Sequence, residues 1–230
     1  MKLVISSGHG KLVRGASGYI DEVDEARKVV ETVADILRDV DVEVLTFHDD
    51  VSTSQNENLN RIVNYHNSQN RELDVSVHFN AYQTTSGPMG TECLYVTQQT
   101  LAGVVASKMS EGGEFTNRGP KKRTDLFFLN KTEMPSVLLE VCFVDSKADV
   151  DAYHDNYDEL CIAIAEGLTG ISIGAPEEPD KPPVQPPQQP PVESESTVEI
   201  TIKPIGNVRV LVNGEEITFG TTQQSPATYE

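Results

Sequence analysis

Residues 135–144 read PSVLLEVCFV, an almost wholly apolar run interrupted by one charge, Glu140. A strand of this composition has no polar side to turn toward water, so it belongs inside a sheet covered on both faces. Sheets of that kind arise where strands alternate with helices, and the rest of the chain supplies the alternation. Residues 3–6, 42–47, 73–79 (LDVSVHF), 91–97 (TECLYVT) and 125–130 (DLFFLN) read as further strands. Residues 24–38 set Val29, Val30, Val33, Ile36 and Leu37 at helical spacing, behind Asp21 as N-cap. Residues 59–66, 101–109 and 157–168 read as helices, the last closed by Thr169-Gly170. The expected class is α/β, a twisted, mostly parallel sheet with helices on both faces.

The pattern stops near Gly174. Residues 175–196, APEEPDKPPVQPPQQPPVESES, are dense in Pro, Gln and Glu and favour an extended, semi-rigid linker. Residues 197–230 follow with two alternating runs around Asn213-Gly214, the signature of a hairpin in a small all-β C-terminal module. Three parts are expected: a domain over 1–174, a linker over 175–196 and the β module over 197–230. The three cysteines, Cys93, Cys142 and Cys161, are scattered in apolar contexts and read as buried thiols.

Charge narrows the partners. With 36 acidic against 18 basic residues the net charge is -18, which argues against nucleic acid, whose phosphates would be repelled. No apolar run is long enough to insert into a membrane, and the apolar stretch in MKLVISSGHGKLV is too short for a secretory signal. The expectation is synthesis in the cytoplasm. The exception to the acidity is NRGPKKR (117–123), expected as a solvated loop, with contact to substrate carboxylates as its functional alternative.

Ligands of open α/β sheets gather at the carboxyl ends of strands. His9 follows the first strand between Gly8 and Gly10, which permit a tight turn and close approach by another group. His78 ends another strand in SVHFNA, and Glu140 interrupts the buried run. An unpaired buried carboxylate is costly, so Glu140 must face a cation, a donor or a reaction. Two neutral imidazoles and one carboxylate would make a zinc site with an open position. The carboxylate is expected in GYIDEVDEARKVV, where Glu22 and Glu25 are the candidates. Acidic residues there would also complement a helix dipole. Asn80 is a candidate substrate contact or loop cap. His48, His66 and His154 have no companion motif and read as structural or solvated. Cys142 lacks the basic surroundings that would make it a nucleophile.

SSGHG, an acidic residue about a dozen positions later, SVHFNA and PSVLLEVCFVDSKAD occur in order at domain-scale spacing. Together they closely resemble the zinc-dependent N-acetylmuramoyl-L-alanine amidases of the Amidase_3 type, found in bacterial autolysins and phage endolysins. The resemblance covers roughly residues 1–173. It implies a phosphorylase/hydrolase-like fold, one Zn2+ held by His9, Glu22 and His78, and Glu140 as the catalytic carboxylate. It further implies hydrolysis of the amide joining the N-acetylmuramic acid lactyl group to L-alanine in bacterial peptidoglycan, with cell lysis as the outcome. Family members usually carry Asp-Pro where Ser6-Ser7 stand here, a change that touches no ligand. On this reading the protein reaches the wall after release through holin lesions or mother-cell lysis, and residues 197–230 bind a secondary wall polymer. Two rival readings stand beside it: a zinc carboxypeptidase-like peptidase, which needs an arginine to anchor a peptide carboxylate, and a noncatalytic wall-binding protein.

Overall fold

The computed structural model describes residues 1–174 and, beyond them, the backbone of 210–212 and 215–217. By internal contacts the chain divides into two units, Met1–Glu177 and Glu178–Glu230.

In the first unit the elements run β1 (Lys2–Ser7), α1 (Glu22–Asp39), β2 (Glu43–Phe47), α2 (Gln55–Ser68), β3 (Leu73–Asn80) and β4 (Thr91–Tyr95). They continue with α3 (Gln99–Gly112), β5 (Asn117–Lys122), α4 (Phe127–Lys131), β6 (Ser136–Phe143), α5 (Lys147–Asp155) and α6 (Tyr157–Thr169). The local signals explain most of the boundaries. Asp21 caps α1, its side chain accepting from the amides of Val23 and Asp24. Ser54 caps α2 by accepting from the Glu57 amide, and Glu57 reaches back to the Thr53 amide. Gly170 ends α6 in the left-handed region at φ 72°, where a side chain would be strained.

The sheet has six strands in the order β2-β1-β3-β6-β4-β5. All neighbouring pairs are parallel except β4 and β6, so the sheet is mixed but mostly parallel. The exception has a local cause. Residues 81–90 join β3 to β4 without a helix, too little chain for a parallel crossover, so β4 must run back against β3. It skips one position, later filled by β6, which thereby becomes the covered strand that PSVLLEVCFV requires.

Helices cover both faces. On one, Val29, Val33 and Leu37 of α1, Val105 and Met109 of α3 and Ile164 of α6 pack with Leu3, Ile5, Val75, Val77, Val137 and Leu139. On the other, Ile62 and Val63 of α2 and Phe128 and Leu129 of α4 pack with Leu94 and Leu138. Alternation along β3 and β6 puts His78 and Glu140 on this second face, at the ends of their strands.

Two expectations are corrected. DLFFLN is not a strand: residues 127–131 form α4, because one short turn lets the adjacent Phe128 and Leu129 both bury against α2 and the sheet. A strand would have turned one of them away. NRGPKKR is not a loop but contains the edge strand β5. Pro120 is tolerated there because an edge strand has amides that need no partner, and Gly119, at φ 73°, marks a register shift against β4. Helix α5 was not anticipated.

The three cysteines are free and buried, as their contexts indicated, and burial pushes each thiol up. Among the described residues no helix is long and apolar enough to cross a membrane. In the second unit, β7 (Val210–Val212) and β8 (Glu215–Ile217) pair antiparallel with Val212 opposite Glu215. The expected linker and the rest of residues 197–230 lie outside the described residues.

Candidate metal centre

The end of β1 delivers His9 to the ends of β3 and β6. The Gly8 amide donates to the Val77 carbonyl at 2.9 Å, holding the start of the His9 loop beside β3. Gly8 is required for proximity, and its φ is not positive. A Cβ at Gly8 would lie 1.8 Å from Nε2 of His78, so the imidazole packs directly on the backbone. Gly15 plays the same part further along the loop, since its Cβ would lie 2.1 Å from Glu22 Oε2 and 2.6 Å from His9 Cδ2. Gly10 has a third neighbour pair, the Asn58 side chain and the Asp49 carbonyl.

Glu22 opens α1 and is 3% exposed. Its Oε1 accepts from His78 Nδ1 at 3.0 Å and from the Phe79 amide at 3.2 Å, and Oε2 accepts from the Ala16 amide at 2.6 Å. His9 Nε2 stands 3.6 Å from the same Oε1, beyond hydrogen-bond length. One donor atom from each of His9, Glu22 and His78 falls within 4.8 Å of the others. Glu25, the other candidate, points elsewhere: it accepts from Tyr153 Oη at 3.0 Å and from Lys28 Nζ at 2.8 Å.

The electrostatics suit a cation. Burial opposes ionisation of Glu22, but the His78 hydrogen bond and both imidazoles outweigh it and hold the carboxyl below its usual range. Burial, then His78, lowers the pKa of His9, leaving a neutral imidazole with a free lone pair. His78 is also pulled down by burial, yet Glu22 more than offsets this and raises its pKa. Two imidazoles around one buried carboxylate, with His9 not hydrogen-bonded to it, form a donor set that one divalent ion fits.

Glu140 stands beside this group, level with His78 across the β3–β6 pair and with Glu92 across the β6–β4 pair. Its Oε2 is buried and has no hydrogen-bond partner among the described residues. Burial first, then the charges of Glu22 and Glu92, push its pKa up from 4.5 to about 7, against the opposing pull of His78 and Arg123. The carboxylate that interrupts the apolar run is therefore only partly exposed and holds one buried oxygen without a partner.

Sequence reasoning missed Glu92 beside Glu140 and its contacts with Arg118 and with the anticipated Asn80. Arg118 Nε donates to Glu92 Oε2 at 2.7 Å, and its guanidinium lies 5.0 Å from the centroid of the Phe143 ring. Asn80 donates from Nδ2 to Glu92 Oε1 at 3.2 Å and accepts from the Ala81 amide at 2.9 Å. The available signal was Glu92 itself, a charge inside TECLYVT. The other histidines serve the fold. His66 is fully buried between Asp74 Oδ1 at 2.8 Å and Ser6 Oγ at 3.0 Å, and Arg71 pairs with the same Asp74. His48 bridges Ser7 and Glu31, each at 2.9 Å, and His154 is exposed. Ser6 and Ser7 thus anchor two histidines beneath the His9 turn.

Comparison with known proteins gives a consistent result. The model of the N-acetylmuramoyl-L-alanine amidase family Amidase_3 matches residues 3–170. A 38.4 kDa protein of Clostridium perfringens is 38% identical over 177 residues, 73% of this chain and 51% of its own. The chain spans about half the length of the curated relatives it matches. Among solved structures, the catalytic domain of the CD27L endolysin targeting Clostridia Difficile superposes with a TM-score of 0.69 at 26% identity, covering 76% of this chain and 99% of that one. The amidase AmiC2 of Nostoc punctiforme gives a TM-score of 0.61 at 26% identity, covering 73% and 94% respectively.

Proposed function

Because this chain belongs to the N-acetylmuramoyl-L-alanine amidase family Amidase_3, we propose that it hydrolyses the amide between the lactyl group of N-acetylmuramic acid and L-alanine in peptidoglycan, using one Zn2+. His9, Glu22 and His78 would hold the ion. When bound, Zn2+ supplies a Lewis acid that polarises the amide carbonyl and makes water acidic near neutrality. The chain's own residues supply the remainder. The Ala16 and Phe79 amides fix the Glu22 carboxylate, and the bare backbone at Gly8 seats the His78 ring.

Glu140 is the proton carrier. Its Oε2 accepts a proton from the attacking water and returns it to the alanine nitrogen as the carbon–nitrogen bond breaks. The products are a free lactyl carboxylate and a peptide with a new N-terminal alanine. Burial raises the proton affinity of this carboxyl and a bound cation would draw it back down, so that it can both take and give that proton near neutrality. Asn80, held by Glu92 and the Ala81 amide, shapes the rim of the site. Release to the wall precedes action, and residues 197–230 bind a secondary wall polymer.

The observation that carries this reading is the unpartnered, buried Glu140 Oε2 next to the two-histidine, one-carboxylate cluster. The test is digestion of purified peptidoglycan with metal analysis of the same sample. New N-terminal alanine with intact glycan strands supports the amidase reading. Release of reducing sugars, or cleavage only between peptide residues, rejects it.

A further inference from the structure

Four of the chain's 18 basic residues, Arg118, Lys121, Lys122 and Arg123, fall within six positions of a molecule whose net charge is -18. They lie on and just after β5, the exposed edge strand two positions across the sheet from β6, which carries Glu140. We propose that Lys121 and Arg123 form an anionic subsite that takes the free carboxylate of the peptidoglycan stem peptide next to L-alanine. This rests on the amidase reading above.

The geometry places these cations on the correct face. Lys121 pairs in register with Leu94, and Leu94 with Leu138; those two leucines pack in the cluster that includes α4. Glu140 lies two positions from Leu138 on β6, so alternation puts it on the same face as Lys121. Two strand spacings across and two residues along place Lys121 roughly 12 Å from Glu140 at the backbone. One lysine stem plus about two extended peptide residues spans that gap. Arg123 is near enough for its charge to act on Glu140.

The charges around the site explain why such cations are needed. Glu22, Glu92 and Glu140 converge there, and an anionic peptide approaching them is repelled unless cations stand beside its own carboxylate. Arg118 is already engaged by Glu92. Arg123 is held by Asp125 through Nε and Nη2, at 2.9 and 2.8 Å, which leaves Nη1 outside that pair. Lys121 is exposed and has no ion pair among the described residues. Lys122 follows it but pairs in register with Tyr95, on the opposite face. The register shift at Gly119 separates the two roles, with Arg118 turned onto Glu92 and Lys121 left exposed on the face that carries Glu140.

The test uses the full chain loaded with Zn2+ and two synthetic N-acetylmuramoyl dipeptides that differ at one group. One carries the α-carboxylate on its second residue and the other the carboxamide. The wild type should favour the carboxylate by roughly fivefold in kcat/KM, the scale of two exposed ion contacts. That preference should lie in KM and fade with salt. A Lys121→Gln/Arg123→Gln variant should bring the ratio to about one, and Lys121→Arg should retain it. Equal turnover of both dipeptides by the wild type, or a preference that survives the double substitution, overturns the subsite while leaving the amidase reading intact. If the cations serve only to adsorb phosphate-bearing wall polymers, the dipeptides turn over alike and the proposal falls. Failure to expose an N-terminal alanine from either dipeptide or from peptidoglycan removes both readings.

Discussion

Replacing Glu140 by glutamine should inactivate the protein and, in the absence of metal, stabilise it. Its carboxyl is raised from 4.5 to about 7, chiefly by burial. At about 1.4 kcal/mol per tenfold change, ionised Glu140 costs the folded state about 3 kcal/mol, an upper value because the side chain keeps some contact with solvent. The sign follows from linkage. Below 4.5 the group is protonated in both folded and unfolded chains and costs nothing. Between 4.5 and about 7 the unfolded chain ionises first and stability falls; above about 7 the whole penalty is present. Glu140→Gln removes an ionisable group and keeps its shape. Chemical denaturation in chelator should therefore show the variant and wild type alike near pH 4.5, with the variant ahead by up to about 3 kcal/mol at pH 8. Adding Zn2+ should shrink that advantage, because a cation beside Glu140 favours its ionised form. The rate at which new N-terminal alanine appears should fall by about 10^2- to 10^4-fold, the contribution expected of a positioned proton carrier. An active variant, or a stability difference that is the same at both pH values, would refute the reasoning.

Three further outcomes follow from the same geometry. His78→Ala should lower metal affinity by more than the about 10- to 100-fold that loss of a ligand's hydrogen-bond partner costs, measured by equilibrium dialysis against buffered Zn2+. Gly15→Ala should weaken metal binding by roughly tenfold, because its methyl would press on Glu22 Oε2 and His9 Cδ2; unchanged affinity would show that the loop yields without moving the ligands. His66→Ala should cost about 2–4 kcal/mol in urea denaturation by stranding Ser6 and weakening the support of Asp74, while the metal bound per folded molecule stays at the wild-type level.

Much of the site was legible before the fold was known. A glycine-flanked histidine after a strand, a second histidine at a strand end and a lone carboxylate in an apolar run are each visible along the chain. The carboxylate carries a solvation cost that ordinary packing does not justify, and the glycines beside His9 mark a close approach. The neighbours of Glu140 were not legible in this way. Glu92 becomes adjacent only because β4 runs antiparallel to β6, and Arg118 reaches it only because a bulge at Gly119 turns the edge strand. Residues 127–131 were misread because a short apolar run satisfies both periodicities, and only the waiting surface of α2 decides between them.

Composition and periodicity thus determined the α/β layers, the covered central strand and the residue types able to hold a metal, since these follow from local hydrophobic patterning. Strand order, the direction of β4 and the contacts that gather Glu22, the glutamate already favoured by the family resemblance, with His9 and His78 belonged to the tertiary structure. They depend on the length of the 81–90 connection and on which carboxylate the folded helix turns toward two distant imidazoles. Patterning fixes which faces must be buried, whereas only closure of the whole chain fixes which of those faces meet.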